Sequence, residues 1–331
     1  MHLKHLFLIA WIALIAGCGG NAPAPTNPAA VGVDDLMVGG PKTGSQTTVA
    51  VVSPALTSQY HVQFVEGAVE EGESYGWKVQ SLAGDRETNF AAQVDLVESA
   101  VRKGVEAMTI CAINDKAIVG AIEKANQANI PVFIHNSLTE LEGVDIAGYT
   151  GFDQRKAGRL CGEYAVKILS EKNSDATSTV YIITGIPGFH SNERVAGFHE
   201  IIDQHPNIEV VGSGPGNWER LGGMNLAETA LKANDQVDLI FAVSDAMAQG
   251  AAQAVQEAGK DTMTLGLDGN PDTLKDIQAG VVTASLAVFP KEMGKIAMQN
   301  IKNYLDGEAI ERRNETPLKI IDASNVGEYL N

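Results

Sequence analysis

Short apolar, β-branched runs alternate with amphipathic stretches along most of this chain, and they do so in two successive cycles. The first run, Thr48-Val49-Ala50-Val51-Val52-Ser53, has no polar face, as a strand covered on both sides requires. Val62, Val65, Ala68, Val69 and Gly72 then recur at helical spacing, and Gly76 supplies a C-terminal stop. Trp77–Leu82 predicts the next strand, Phe90, Val94, Val97 and Val101 a helix, and Ala107–Cys111 a strand. Ala117, Ala121, Ile122 and Ala125 mark a helix, Ile130–Ile134 a strand, and Asp145–Tyr149 closes this half. The second cycle predicts strands over Ser178–Thr184, Ile208–Val211, Val237–Val243, Met263–Leu267 and Val282–Val288. Helices follow Leu160–Ile168, Val195–Ile202, Leu226–Ala230, Met247–Val255 and Lys291–Leu305. Strands alternating with helices of 10–15 residues imply βαβ units, parallel sheets and right-handed crossovers. Two cycles imply an α/β protein with two doubly wound parallel-sheet lobes.

The chain ahead of Thr48 has a different character. Lys4 precedes an apolar run, Leu6 to Ala16, of about 11 residues, where a membrane-spanning helix needs about 20. A charged start, an apolar centre and small residues predict a secretory signal. Leu14-Ile15-Ala16-Gly17-Cys18 resembles the bacterial lipobox, with Ile15 where leucine is commonest. That resemblance implies a signal peptide over residues 1–17 and lipid on Cys18; an ordinary signal peptide containing a cysteine is the other reading. Gly19 to Thr47 is rich in Gly, Pro, Ala, Thr and Asn, a composition that suits a tether, so residues 18–47 are read as the lipidated cysteine and its flexible linker. An extracytoplasmic protein held to a bacterial membrane follows as the expectation.

Composition narrows the function. The chain has 331 residues, with 24 Lys and Arg against 41 Asp and Glu, a net charge of −17. Nucleic-acid binding requires basic clusters, and none occurs. Cys111 and Cys161 lie in apolar surroundings on different lobes, which predicts two buried free thiols rather than a disulfide. No Cys-x-x-Cys or clustered His points to a metal, and no cofactor is expected. A Gly-x-Ser-x-Gly elbow and a phosphate loop are both missing, and Gly212-Ser213-Gly214-Pro215-Gly216 lacks dinucleotide spacing, so nothing in the chain reads as an enzyme.

In an open parallel sheet, ligands lie beyond the C-terminal ends of the strands. That rule selects Pro54–His61, Cys111–Asp115, Asn136-Ser137, Ile186–Asn192, Ser244-Asp245 and Asp268-Gly269. Trp218, in a glycine-rich loop, either packs there or binds something. Asp268 can accept hydrogen bonds from two neighbouring hydroxyls or cap the helix that follows.

Four segments resemble the ribose-type, or type I, periplasmic sugar-binding proteins, the substrate-binding lipoproteins of ABC transporters. They are Ala125–Val132, Asn192-Glu193-Arg194-Val195-Ala196-Gly197-Phe198, Ser244–Gly250 and Gly266–Asp272. The likeness extends from Thr48 to about Ile320. It implies two lobes joined by a three-strand hinge, with 48–150 plus 289–317 in one and 151–288 plus 318–331 in the other. It implies a monomer that captures a small polar ligand, a carbohydrate foremost, between the lobes and delivers it to an ABC permease. A sensor handing its closed form to a membrane receptor or kinase is the alternative, since the same fold serves both. A transcription regulator shares the core, but the export signal and the missing basic helix-turn-helix before Thr48 argue against one.

The resemblance also places ligand contacts. Tyr60 and His61 fall where the family stacks aromatic rings on the sugar, Ser58 on a polar contact and Trp218 on the aromatic that closes the sandwich. Asn136, Ser137, Asn192, Ser244 and Asp268 fall on further contact positions. Departures are specific: Asn136-Ser137 replaces Asp-Arg, Asn192 replaces an arginine with Arg194 retained two places on, Ser244 replaces an amide, and Cys111 and Val288 occupy polar positions. These changes imply a cleft that has lost charge and takes a ligand other than ribose.

Overall fold

The computed structural model describes residues 46–173 and 176–330. The expected signal peptide, Cys18 and the expected tether up to Ser45 lie outside the described residues.

The first sheet is built from β1 (Thr48–Ala55), β2 (Lys78–Gly84), β3 (Ala107–Ile110), β4 (Val132–His135), β5 (Gly148–Gly151) and β11 (Arg313–Glu315). Between these strands run α1 (Gln59–Ser74), α2 (Phe90–Lys103) and α3 (Asp115–Gln127). The strand order is β11-β5-β4-β3-β1-β2, and every pairing is parallel. The second sheet holds β6 (Ser178–Thr184), β7 (Ile208–Pro215), β8 (Leu239–Ala242), β9 (Met263–Asp268), β10 (Ala284–Ala287) and β12 (Lys319–Asp322), in the order β12-β10-β9-β8-β6-β7. Its helices are α4 (Gln154–Lys172), α5 (Phe189–Ile202), α6 (Arg220–Ala233), α7 (Asp245–Ala258) and α8 (Pro271–Gln278). The last helix, α9 (Pro290–Leu305), packs back on α1 of the first lobe.

The first strand shows why both faces read as apolar. Successive side chains point to opposite faces of a sheet. Val49 and Val51 join a core with Phe64 of α1 and Met293, Ala297 and Met298 of α9. Ala50 and Val52 join a separate core with Val97 of α2 and Ile118 and Ile122 of α3. Each fully buried valine contributes roughly 1.5–3 kcal/mol, so neither face tolerates a polar residue cheaply.

Three helix pairs cross at glycines. A Cβ on Gly67 would fall 1.9 Å from the Lys291 carbonyl oxygen, and one on Gly294 would fall 2.2 Å from that of Phe64. Gly158 and Gly197 make the same reciprocal approach between α4 and α5, and Gly223 and Gly250 between α6 and α7. Backbone thus lies directly on backbone where each pair of helices crosses.

Three elements are absent from the sequence reading: α8, β11 and β12. Lys319–Asp322 runs antiparallel to β10, so the second sheet carries one antiparallel edge. Short edge strands such as β11 and β12 have too few apolar residues to register as periodic runs. Gly104 (φ 67°) and Gly259 (φ 61°) end α2 and α7 in the left-handed conformation, as a glycine stop should. Cys111 and Cys161 are buried free thiols.

Candidate functional site

The C-terminal ends of β1–β4 and of β6–β9 open on one cleft. It encloses about 740 Å³ of space, part of it continuous with solvent. Eight of the ten expected ligand-contact positions line it: Ser58, Tyr60, His61, Cys111, Asn136, Trp218, Ser244 and Asp268. Ser137 and Asn192 do not line the cleft. The Ser137 hydroxyl accepts a hydrogen bond from the Thr139 amide at 3.1 Å and so fixes a turn. Asn192 is exposed on the outer face of α5, its amide bonded to the Gly188 carbonyl. Val288 is fully buried and lies outside the lining.

Glu87 and Arg194 also line the cleft and lie outside the loops selected from the sequence, and His190 lines it from within the selected Ile186–Asn192 loop without being singled out there as a contact. They correct the expectation of lost charge. Arg194 is buried, with Nε donating to Gln154 Oε1 at 2.8 Å and one amino group donating to the Val243 carbonyl at 2.7 Å. That amino group lies 3.7 Å from Asp268. The guanidinium also sits 5.5 Å from the centre of the Trp218 ring, within cation–π range.

Trp218 also packs against a glycine. A Cβ on Gly185 would fall 2.2 Å from the indole. The Gly-Ile-Pro-Gly turn after β6 therefore provides the shelf on which the ring lies. Trp218 and its neighbour Asn217 both adopt left-handed backbone, with φ 65° and 58°. Asn136 (φ 65°) and Asp268 (φ 152°) are also at positive φ. Such conformations cost roughly 1–3 kcal/mol each and persist only where surrounding contacts impose them.

In the first lobe, the Tyr60 ring meets that of His61 edge-on at 5.1 Å, while its hydroxyl lies 3.4 Å from Met293 Sδ on the core side. His61 Nε2 is 3.4 Å from Glu87. Cys111 Sγ is 3.6 Å from Asn136 Nδ2, and burial pushes its thiol up to about 12, so it enters the cleft as a neutral group.

The acidic floor is arranged around two aspartates. Asp245 accepts from the Ser285 hydroxyl at 2.5 Å and the Asn270 amide at 2.7 Å, and its own amide donates to Asp268 at 3.3 Å. Burial raises Asp245 to about 6. Burial and the charge of Asp245 together hold Asp268 well above the usual carboxylate range, against the pull of Arg194. His190 is driven the other way, to about 3, by burial and by Arg194, so its ring is neutral.

Four buried polar atoms on the cleft residues have no hydrogen-bond partner within the described residues. His61 Nδ1 and Asn136 Oδ1 come from the first lobe, and His190 Nε2 and Ser244 Oγ from the second. Buried polar groups in native proteins are almost always paired. Four orphans on one cleft, two from each side, make a surface suited to a ligand with several hydrogen-bonding groups.

The family model described as a periplasmic binding protein domain matches residues 49–309. The ribose import binding protein of Escherichia coli K12 is 29% identical over 280 residues, covering 84% of this chain and 91% of that protein. A periplasmic solute-binding protein of an ABC transporter from Actinobacillus succinogenes 130z, solved with bound D-allose, superposes with a TM-score of 0.80 at 24% identity, over 86% of this chain and all of that one. An ABC transporter solute-binding protein from Bacillus halodurans C-125 with bound myo-inositol gives a TM-score of 0.77 at 24% identity, over 87% and 99% of the two chains.

Proposed function

The chain belongs to the periplasmic binding protein domain family, and on that premise we propose that it captures a carbohydrate in the cleft between its lobes and delivers it to an ABC importer. Members of this family are extracytoplasmic binding proteins, and the protein is a binding protein rather than an enzyme. The observation that carries the reading is the set of four unpaired polar atoms, two from each lobe. Only a ligand touching both lobes supplies the differential affinity that closure needs. Trp218 and Tyr60 offer ring faces and Asp268 a carboxylate acceptor, the groups that suit the apolar face and the hydroxyls of a sugar or cyclic polyol. Ser58, Tyr60, His61, Cys111, Asn136, Ser244, Trp218 and Asp268 are assigned as contacts, with Arg194 and His190 added.

A thermal-shift screen tests this with D-ribose, D-allose, L-arabinose, D-galactose and myo-inositol beside nucleosides and amino acids. At 100 times its Kd a ligand stabilises by about 2.7 kcal/mol. A shift with a sugar or polyol is expected. A shift confined to the nucleosides or amino acids overturns the reading.

The finer organisation belongs to the same proposal. Residues 48–150 plus 289–317 form one lobe and 151–288 plus 318–331 the other; β11 before Pro317 and β12 after it support the last crossing. The protein acts as a monomer, in keeping with Leu56 and Leu221 as the exposed large apolar side chains among the described residues. Residues 1–17 direct export, and lipid on Cys18 with the tether to Thr47 holds the lobes near the permease. One acyl chain gives only marginal membrane binding, so more than one is required. Loss of radiolabelled palmitate from a Cys18→Ser variant is the expected result, and retained label excludes the anchor.

A further inference from the structure

Gln154 is the first residue of α4, three places after the chain leaves β5 of the first sheet. Its side chain is buried, and its amide is used at both ends. Nε2 donates to the backbone carbonyl of Asn136 at 2.7 Å. Oε1 accepts from Arg194 Nε at 2.8 Å. A carbonyl can only accept and a guanidinium can only donate, so this amide has a single satisfiable orientation.

The two partners stand on opposite sides of the cleft. Asn136 ends β4 of the first sheet, in left-handed backbone, with its unpaired Oδ1 on the cleft. Arg194 projects from α5 of the second lobe and holds Trp218 and Asp268. The crossing strand is packed tightly here too, since a Cβ on Gly151 would fall 2.6 Å from the Ser137 amide nitrogen. A short, buried, two-ended bond thus spans the lobes at the place where the chain passes between them.

We propose that Gln154 is a positioning residue that latches the lobes together and holds Asn136 and Arg194 in register across the cleft. It touches no ligand itself. Its removal leaves the Asn136 carbonyl and the Arg194 Nε unpaired in the closed arrangement, and opening exposes both to water. The closed arrangement therefore loses population when the latch is cut.

The test needs no ligand, so it stands apart from the carbohydrate reading. Spin labels on Lys103→Cys in the first lobe and Lys232→Cys in the second report the inter-lobe separation by double electron–electron resonance. Both positions are exposed, and the background carries Cys18→Ser and Cys111→Ser, with Cys161 fully buried from the label. Gln154→Met keeps the volume and removes both bonds; its distance distribution is expected to broaden toward longer separations. Gln154→Glu keeps the acceptor for Arg194 and loses the donor to Asn136, and a smaller broadening is expected. A purely structural role would lower the unfolding temperature and leave the distribution of the folded protein unchanged. That result in Gln154→Met, or in Gln154→Glu should the methionine variant not fold, overturns the proposal.

Discussion

The guanidinium of Arg194 lies 3.7 Å from the carboxylate of Asp268, with both side chains nearly fully buried. Arg194 also lies 5.5 Å from the centre of the Trp218 ring, and Asp268 accepts from the Asp245 amide at 3.3 Å. A buried ion pair is costly to break from one side, because the survivor is left as an uncompensated charge. Neither partner is therefore lost cheaply from this wall of the cleft.

Trp218→Ala and Asp268→Ala are each expected to weaken sugar binding at least about tenfold, near 1.4 kcal/mol. Asn192→Ala, on the exposed face of α5, is expected to leave affinity within twofold. Calorimetric titration with the sugar selected by thermal shift measures all three. Unchanged affinity in both cleft variants removes the site assignment.

His190 gives a defined acid-side signature. Its folded value is depressed to about 3, below the unfolded value near 6.5. The unfolded chain binds the extra proton across that window, so stability is present above pH 6.5 and is lost as pH falls toward 3. Relative to His190→Gln, the wild type should lose up to about 1.4 kcal/mol per pH unit there. Urea unfolding of both proteins between pH 7 and pH 4 reads the difference; parallel curves count against a neutral buried ring.

Asp245 has the opposite sign. Its folded value of about 6 lies above the unfolded one, so the folded protein binds more protons between roughly pH 4 and pH 6. Its contribution to stability falls as pH rises through that window. The wild type should therefore lose ground to Asp245→Asn between pH 4 and pH 7, in the same unfolding measurement. A gain with rising pH would contradict the acidic-pair account.

The glycine crossings make a paired prediction. Gly197→Ala would place a Cβ 2.0 Å from the Arg155 carbonyl oxygen, and overpacking of this kind costs about 1–3 kcal/mol. Gly120 is helical, exposed and has nothing within 4 Å of its Cβ position. Gly120→Ala should stabilise by about 0.5–1 kcal/mol, the propensity difference alone. Denaturant midpoints of the two variants are expected to move in opposite directions.

The two-cycle architecture was legible because buried parallel strands read as unbroken apolar runs and their helices as stripes. The loops at the strand ends were legible for the same reason, and they contain most of the cleft. Arg194 was missed by matching a motif position instead of a helix face. Residues two apart on a helix point about 200° apart, so Asn192 and Arg194 cannot share a surface. The signal was present: Ser191, Arg194, Phe198 and Ile202 follow one buried stripe of α5. Glu87 follows the end of β2, a loop that the strand-end rule covers but whose residues carry no motif. Gln154 carries no sequence signal, since its two partners are 18 and 40 residues away and meet only in the folded chain.

The last two strands give the molecule a particular order of completion. β11 finishes the edge of one sheet and β12 that of the other, and both lie within the final 19 residues of the chain. Each sheet therefore takes its last strand only after the chain has built the bulk of the other. Neither sheet can be cut out as one uninterrupted segment and grafted elsewhere. A break in the chain anywhere between β5 and β11 therefore parts the first sheet from its own edge strand.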